Sequence, residues 1–265
     1  MNASARILPV PQTAPGTAVA DWRGLVAAGA IAAILCDLLH EFAHAAATLL
    51  PLGVSTLSIS TIGTTTTGSS PLVALAGPLA NLLLSSTLLL AGASRQRPAL
   101  RYFAWLFGTV NLFNAVAYLG YSAALGSGDW ALVFDAIAAP ATWRPIVGAA
   151  GLLLYALSIC ISARVLRSWC GSTGVDPRHA GALCYVPYWT GAIVLVAGSL
   201  PNPAGHIYIL TSGAATGLGA MAGLVLVPKL LARDHAGAAG AAQPLRLGRA
   251  WMASATAACP AWLPA

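Results

Sequence analysis

Apolar runs of about 20 residues, separated by short connections rich in Gly, Pro, Ser and Thr, make up most of this sequence. That length matches a helix crossing the hydrocarbon core of a bilayer. Six such spans are predicted, at about 24–50, 71–93, 100–125, 145–166, 185–200 and 205–231. The first stops before Pro51, and the fifth is short and carries Pro187 and Gly191. The connection at 53–70, GVSTLSISTIGTTTTGSS, departs from the helical pattern. Ser, Thr and β-branched residues dominate it, and the partial alternation of Val54, Leu57, Ile59 and Ile62 predicts a short β-hairpin. After the third span, Gly126-Ser127-Gly128-Asp129-Trp130 breaks the helix on glycine and presents an acid. The expected fold is an all-α polytopic membrane protein of about six transmembrane helices, with a β-hairpin-like segment after the first.

Composition supports the same class. Apolar residues make up 58% of the chain and charged residues 8%, against roughly 25% charged in a typical soluble domain. So few charges could not cover the surface of a soluble fold. The formal net charge of +6 is not a nucleic-acid signal, because the basic residues sit singly or in pairs near span ends. Twelve of the 13 basic residues fall in the N-terminal segment, the connections after the second and fourth spans, and the C-terminal tail. The alternate connections hold only Arg144. This one-sided pattern predicts a multi-pass protein of a bacterial-type cell membrane, with 1–23 as a cytoplasmic tail. That tail lacks the apolar core of a cleavable signal peptide, so the first span is expected to direct insertion. The segment 232–265 is Ala- and Gly-rich and is expected to be disordered. The five cysteines are widely spaced and imply no disulfide framework.

The chemistry concentrates in the first span, at His40-Glu41-Phe42-Ala43-His44. Residues four apart stand one above the other on a helix face. Two imidazoles so placed can fill two positions of a tetrahedral zinc, leaving room for a third protein ligand and a water. Glu41, the one glutamate of the chain, is placed to take a proton from zinc-bound water. Asp37 lies on the same stripe one turn earlier. Polar groups at this depth in an apolar helix cost at least a few kcal/mol unless partnered, and a divalent cation is such a partner. The candidates for the third ligand are Asp129, Asp135, His179, His206 and Cys36. Asp129 is favoured because the third span ends on the same side as the C-terminal end of the first. Asn81, within Ala76-Gly77-Pro78-Leu79-Ala80-Asn81, and the pair Asn111 and Asn114 add amides to the second and third spans. These can serve either helix–helix hydrogen bonds or a site.

HEFAH at 40–44, the Thr-rich hairpin-like segment, AGPLAN at 76–81, NLFNAV at 111–116 and Asp129 together resemble the site-2 protease family of intramembrane zinc metalloproteases. The similarity covers about residues 30–130, so 24–130 reads as a zinc-protease-like membrane core and 131–231 as additional transmembrane helices. The resemblance implies one zinc ion per chain held by His40, His44 and Asp129, with Glu41 as the catalytic residue. It places Asn81 and Asn114 in the substrate-binding region and implies a transmembrane protein or peptide as substrate. Asp129 stands in Gly-Asp-Trp, where the family carries an Asn-Pro-Asp-Gly context. The family faces its zinc towards the cytosol, whereas the basic residues here place the site nearer the opposite face. A proteolytically inactive membrane scaffold with the same fold, and a transporter lined by the polar stripe, are the competing expectations.

Overall fold

In the computed structural model, residues 21–60, 63–91, 98–138, 140, 142–173, 175, 180–200 and 209–232 are described. The chain is mostly helical. Helix α1 (Trp22–Ala47) starts on Asp21, whose side chain accepts from the Arg23 backbone N–H. It stops at Thr48, whose hydroxyl and N–H both turn back to the carbonyl of Ala45. Strands β1 (Thr56–Ser60) and β2 (Gly63–Thr66) follow as an antiparallel pair. Then come α2 (Pro71–Ala91), α3 (Pro98–Leu125), the short α4 (Asp129–Ala136), α5 (Trp143–Thr173) and α6 (Ala180–Ser199). A wide-turned π-helical segment, Ile209–Gly219, passes through one 3₁₀ turn into α7 (Gly223–Ala232).

Among the described residues, six helices are long and apolar enough to cross a membrane: α1, α2, α3, α5, α6 and the segment Gly213–Leu231. Helix α1 is the most enclosed, with 72% of its apolar window buried, against 28% for α5. The sequence of α1 explains this. Ala27, Ala28, Gly29, Ala30, Ala32 and Ala33 form a small-residue surface that lets neighbouring backbones approach. A Cβ on Gly29 would fall 2.6 Å from the Cα of Pro187 in α6. Helix α3 packs chiefly on α5 and α2, and Trp105 ties it to α5 by donating to the Ser162 carbonyl at 2.9 Å. Tyr102 ties the same end of α3 to α6 through the Leu183 carbonyl at 2.8 Å.

Helix α6 starts at Ala180 rather than about 185, and two helix ends and one further element also differ from the expected pattern. Helix α1 ends at Ala47, not near residue 50, because Thr48 caps it and pairs with the Thr56 hydroxyl at 2.9 Å. Helix α5 continues past residue 166 to Thr173, since Trp169 and Cys170 are buried in the core and hold the extra turns. Arg164 and Arg167 therefore lie within the helix, and Arg167 donates to the Leu230 carbonyl of α7 at 3.2 Å. Helix α4, which begins on Asp129 itself, is an element that the pattern of apolar runs does not reveal. The segment 1–20 and the tail 233–265 lie outside the described residues.

Candidate metal centre

The site lies where the C-terminal end of α1, the N-terminal half of α2, the C-terminal end of α3 and the start of α4 meet, with the hairpin beside them. His40 and His44 are both buried on α1. The left-handed turn that carries Asp129 to them uses two glycines, Gly126 at φ 66° and Gly128 at φ 87°. Such angles strain any residue with a Cβ, which is why the chain breaks on glycine here. Gly128 also lacks room: a Cβ would approach the Ser122 hydroxyl and the Tyr121 ring at 3.2 Å. Asp129 Oδ2 then stands 2.9 Å from His40 Nε2 and 3.4 Å from His44 Nε2. One ligand atom from each of the three residues falls within 4.8 Å of the others.

This group could hold a metal. Tetrahedral zinc with bonds of about 2.0–2.1 Å places neighbouring ligand atoms roughly 3.3 Å apart, and the two imidazole–carboxylate distances straddle that value. The nitrogen of His44 that faces away from the group is already committed. Its Nδ1 lies 2.7 Å from the Val73 carbonyl, which can only accept, so Nδ1 carries the proton and Nε2 offers its lone pair. Burial pushes the Asp129 pKa up, but its hydrogen bonds with His40 and His44, and the positive charge those rings carry when a proton rather than a metal sits on Nε2, outweigh it. The carboxyl is held well below the usual carboxylate range, in the ionised form that a metal ligand needs.

Gly77 of α2 makes the packing of the two imidazoles feasible. A Cβ there would fall 2.5 Å from His44 Nε2 and 2.8 Å from His40 Cε1. Pro78 follows it and has no N–H to offer the carbonyl of Ala74, a residue on the cavity wall. Asn81 is completely buried; its Nδ2 lies 3.5 Å from His40 Nδ1 and its Oδ1 has no hydrogen-bond partner among the described residues. Asn81 and Asn114 both donate to the Cys36 thiol, at 3.6 and 3.4 Å. Cys36 and the two amides thus form a layer beneath the imidazoles, and none of them lines the cavity. Asn111 donates within its own helix to the Phe107 carbonyl at 2.8 Å. Asp37 is buried one turn below His40, outside the ligand group. Asp135 is exposed on α4 and also stands outside it, while His179 and His206 lie outside the described residues.

A cavity of about 620 Å³ opens over the group, and His40, Glu41, His44 and Asp129 all line it. Strand β2 forms one wall. Its Thr64 hydroxyl reaches the Glu41 carboxylate at 2.8 Å and the Glu41 backbone carbonyl at 3.0 Å. Tyr118 of α3 forms another wall, with its ring centroid 5.3 Å from that of His40. Neither residue stood out in the sequence. Tyr118 could have been found, since it continues the stripe of Asn111 and Asn114 at helical spacing. Thr64 is one of four consecutive threonines, and only strand register selects it.

Comparison with protein-family models, curated proteins and solved structures returned no match to this chain.

Proposed function

We propose that this chain is a multi-pass membrane zinc metalloendopeptidase of the site-2 protease type, cleaving peptide bonds of membrane-embedded segments. The observation that carries this reading is the shared cavity. One carboxylate, Glu41, faces the same space as a three-residue group whose spacing suits zinc. His40, His44 and Asp129 would hold the ion, which when bound supplies a Lewis acid for the scissile carbonyl and acidifies a water. With its amide turned so that oxygen takes the place of the nitrogen 3.5 Å from His40 Nδ1, Asn81 would accept a hydrogen bond from that N–H in place of its donation to Cys36, and would fix the ring as Val73 fixes His44.

Glu41 acts as general base. Thr64 keeps its carboxylate in one position, and the carboxylate takes a proton from the attacking water and passes it to the departing amide nitrogen. A helical substrate hides its carbonyls in its own hydrogen bonds and must unwind before it can react. Strand β2 supports that step, because Gly63, Thr64 and Thr66 bring an extended edge to the cavity where an unwound segment can pair. The basic residues gathered at the opposite end of the helices support a cytoplasmic N-terminus.

The test is cleavage of a membrane-spanning peptide reconstituted with the purified full-length chain. Glu41→Gln is expected to keep its zinc and to lose about 10²- to 10⁴-fold in rate, the usual contribution of a general base. Undiminished cleavage by Glu41→Gln, or a wild-type protein that takes up no zinc when zinc is supplied, would overturn the reading.

A further inference from the structure

A second cavity, of about 250 Å³, opens at the far end of the same helices from the metal centre. It lies between the C-terminal end of α2, the N-terminal end of α3 and the C-terminal half of α5. Three kinds of group line it. Leu88 and Leu90 give an apolar wall at the perimeter of the bundle, and Leu90 is 83% exposed. Arg101 and Arg164 bring two guanidinium groups, and no acidic side chain is among the described residues that line the space. Trp169 is 3% exposed, yet its indole N–H has no hydrogen-bond partner among the described residues. Its neighbour Trp105, on the same wall, is satisfied by Ser162. A buried indole donor left unpaired is rare in proteins and points to a partner outside the chain.

We propose that this cavity binds the headgroup of an anionic phospholipid. The phosphate pairs with Arg101 and Arg164, Trp169 supplies a donor to a headgroup oxygen, and an acyl chain follows Leu88 and Leu90. Guanidinium groups suit phosphate because their planar array of donors matches its oxygens. The leucine wall distinguishes a lipid from free phosphate, which would gain nothing from it. The lining also favours an anionic over a zwitterionic lipid. Two cations meet one phosphate, and no carboxylate among the described lining residues stands ready to receive a choline or ethanolamine group. The position at the ends of spanning helices is the depth at which headgroups lie. This site shares no residue with the metal centre, so it stands or falls apart from the peptidase reading.

The experiment uses the full-length chain, delipidated in detergent and titrated with phosphatidylglycerol, phosphatidylcholine or inorganic phosphate, with retained lipid counted by native mass spectrometry. Wild type is expected to hold one phosphatidylglycerol about tenfold more tightly than phosphatidylcholine, a preference of the size two interfacial arginines can supply. R164Q is expected to lose that preference and R164K to keep most of it. R101Q should behave as R164Q does, and if it loses its helical circular dichroism, R164Q at an exposed position carries the test alone. Equal retention of the two lipids by wild type overturns the proposal, as does R164Q behaving like wild type. Displacement of the lipid by an equal concentration of inorganic phosphate overturns it in favour of a free-phosphate site.

Discussion

The two ends of the α2–α3 pair solve the same problem, polar chemistry on apolar helices, in opposite ways. At one end His40, Glu41, His44 and Asp129 are short side chains on or beside the buried helix α1. Apart from the cavity they line they are enclosed by helices, so the chain brings partners to them: a carbonyl from α2, a hydroxyl from β2 and a carboxylate from α4. At the other end Arg101 and Arg164 are long side chains near helix ends, able to lay their stems on leucine and send the charge outward. The first arrangement needs helices, a hairpin and a glycine turn held in register, while the second needs only three helix segments in contact. The proposed metal centre is therefore a property of the whole fold around α1, whereas the proposed headgroup site is a local one.

That contrast breaks first at the metal ligands. His44→Ala and Asp129→Ala should each lower zinc affinity by more than about a hundredfold, since loss of even an outer-shell partner costs 10- to 100-fold. Zinc content of the purified chain measures this directly. Phosphatidylglycerol retention should be unchanged in both variants, because the two cavities share no residue. If both properties fell together, the ends would be coupled through the fold and the contrast would not hold.

Gly77→Ala sharpens the comparison by setting two effects against each other. In a helix interior Ala is favoured over Gly by about 1 kcal/mol, so α2 itself should gain. The new methyl, however, would overlap both imidazoles. Zinc affinity is expected to fall about 10- to 100-fold, as for a displaced ligand ring, while helical circular dichroism is retained. Gly120→Ala is the control, since a Cβ there meets nothing within 4 Å.

How far these features could be read in advance depended on how local their causes are. His40 and His44 declare themselves because helical periodicity alone places them on one face. Asp129 could be picked out because a glycine break is itself a local signal, and the positive φ angles of Gly126 and Gly128 are its cause. The hairpin was legible from its β-branched residues, and the six long helices from their apolar length. The role of Thr64 was not, because a one-residue change in strand register would hand it to a neighbouring threonine. Helix α4 was hidden because it is short and packs chiefly on α2, which lies far away in sequence. The length of α5 was hidden for a similar reason: Trp169 and Tyr102 pack together across 67 positions, their ring centroids 5.8 Å apart.

Thr64→Val tests whether the hairpin is part of the catalytic apparatus. The substitution keeps the shape of the side chain and removes the donor to Glu41. A hydrogen bond to a charged group contributes about 1.5 kcal/mol or more, so kcat for a membrane-spanning peptide should fall about tenfold. Zinc content should not change, because Thr64 touches no ligand. Thr64→Ser should restore most of the rate. A fall in zinc content would instead show that the hairpin supports the metal group rather than the base.

The smallest effect is expected at Arg144, the one Arg or Lys at the metal end among the described residues and so the exception to the contrast between the two ends. Its guanidinium does not face a lipid pocket. It donates to the carbonyls of Ala123 and Ala124, at 2.8 and 2.7 Å, closing the last turn of α3 immediately before the glycines that carry Asp129. A cation at a helix C-terminus contributes about 0.3–1 kcal/mol when exposed. Arg144→Ala should therefore weaken zinc binding at most about fivefold, by loosening the corner that presents Asp129. Arg144→Lys should recover only part of this, since one ammonium group lacks the fork that spans two successive carbonyls. Phosphatidylglycerol retention should not change in either variant. If Arg144→Ala lost that lipid and kept its zinc affinity, charge at this end would serve the membrane as it does at the other, and the opposition between the two ends would fail at the residue where it is most exposed to test.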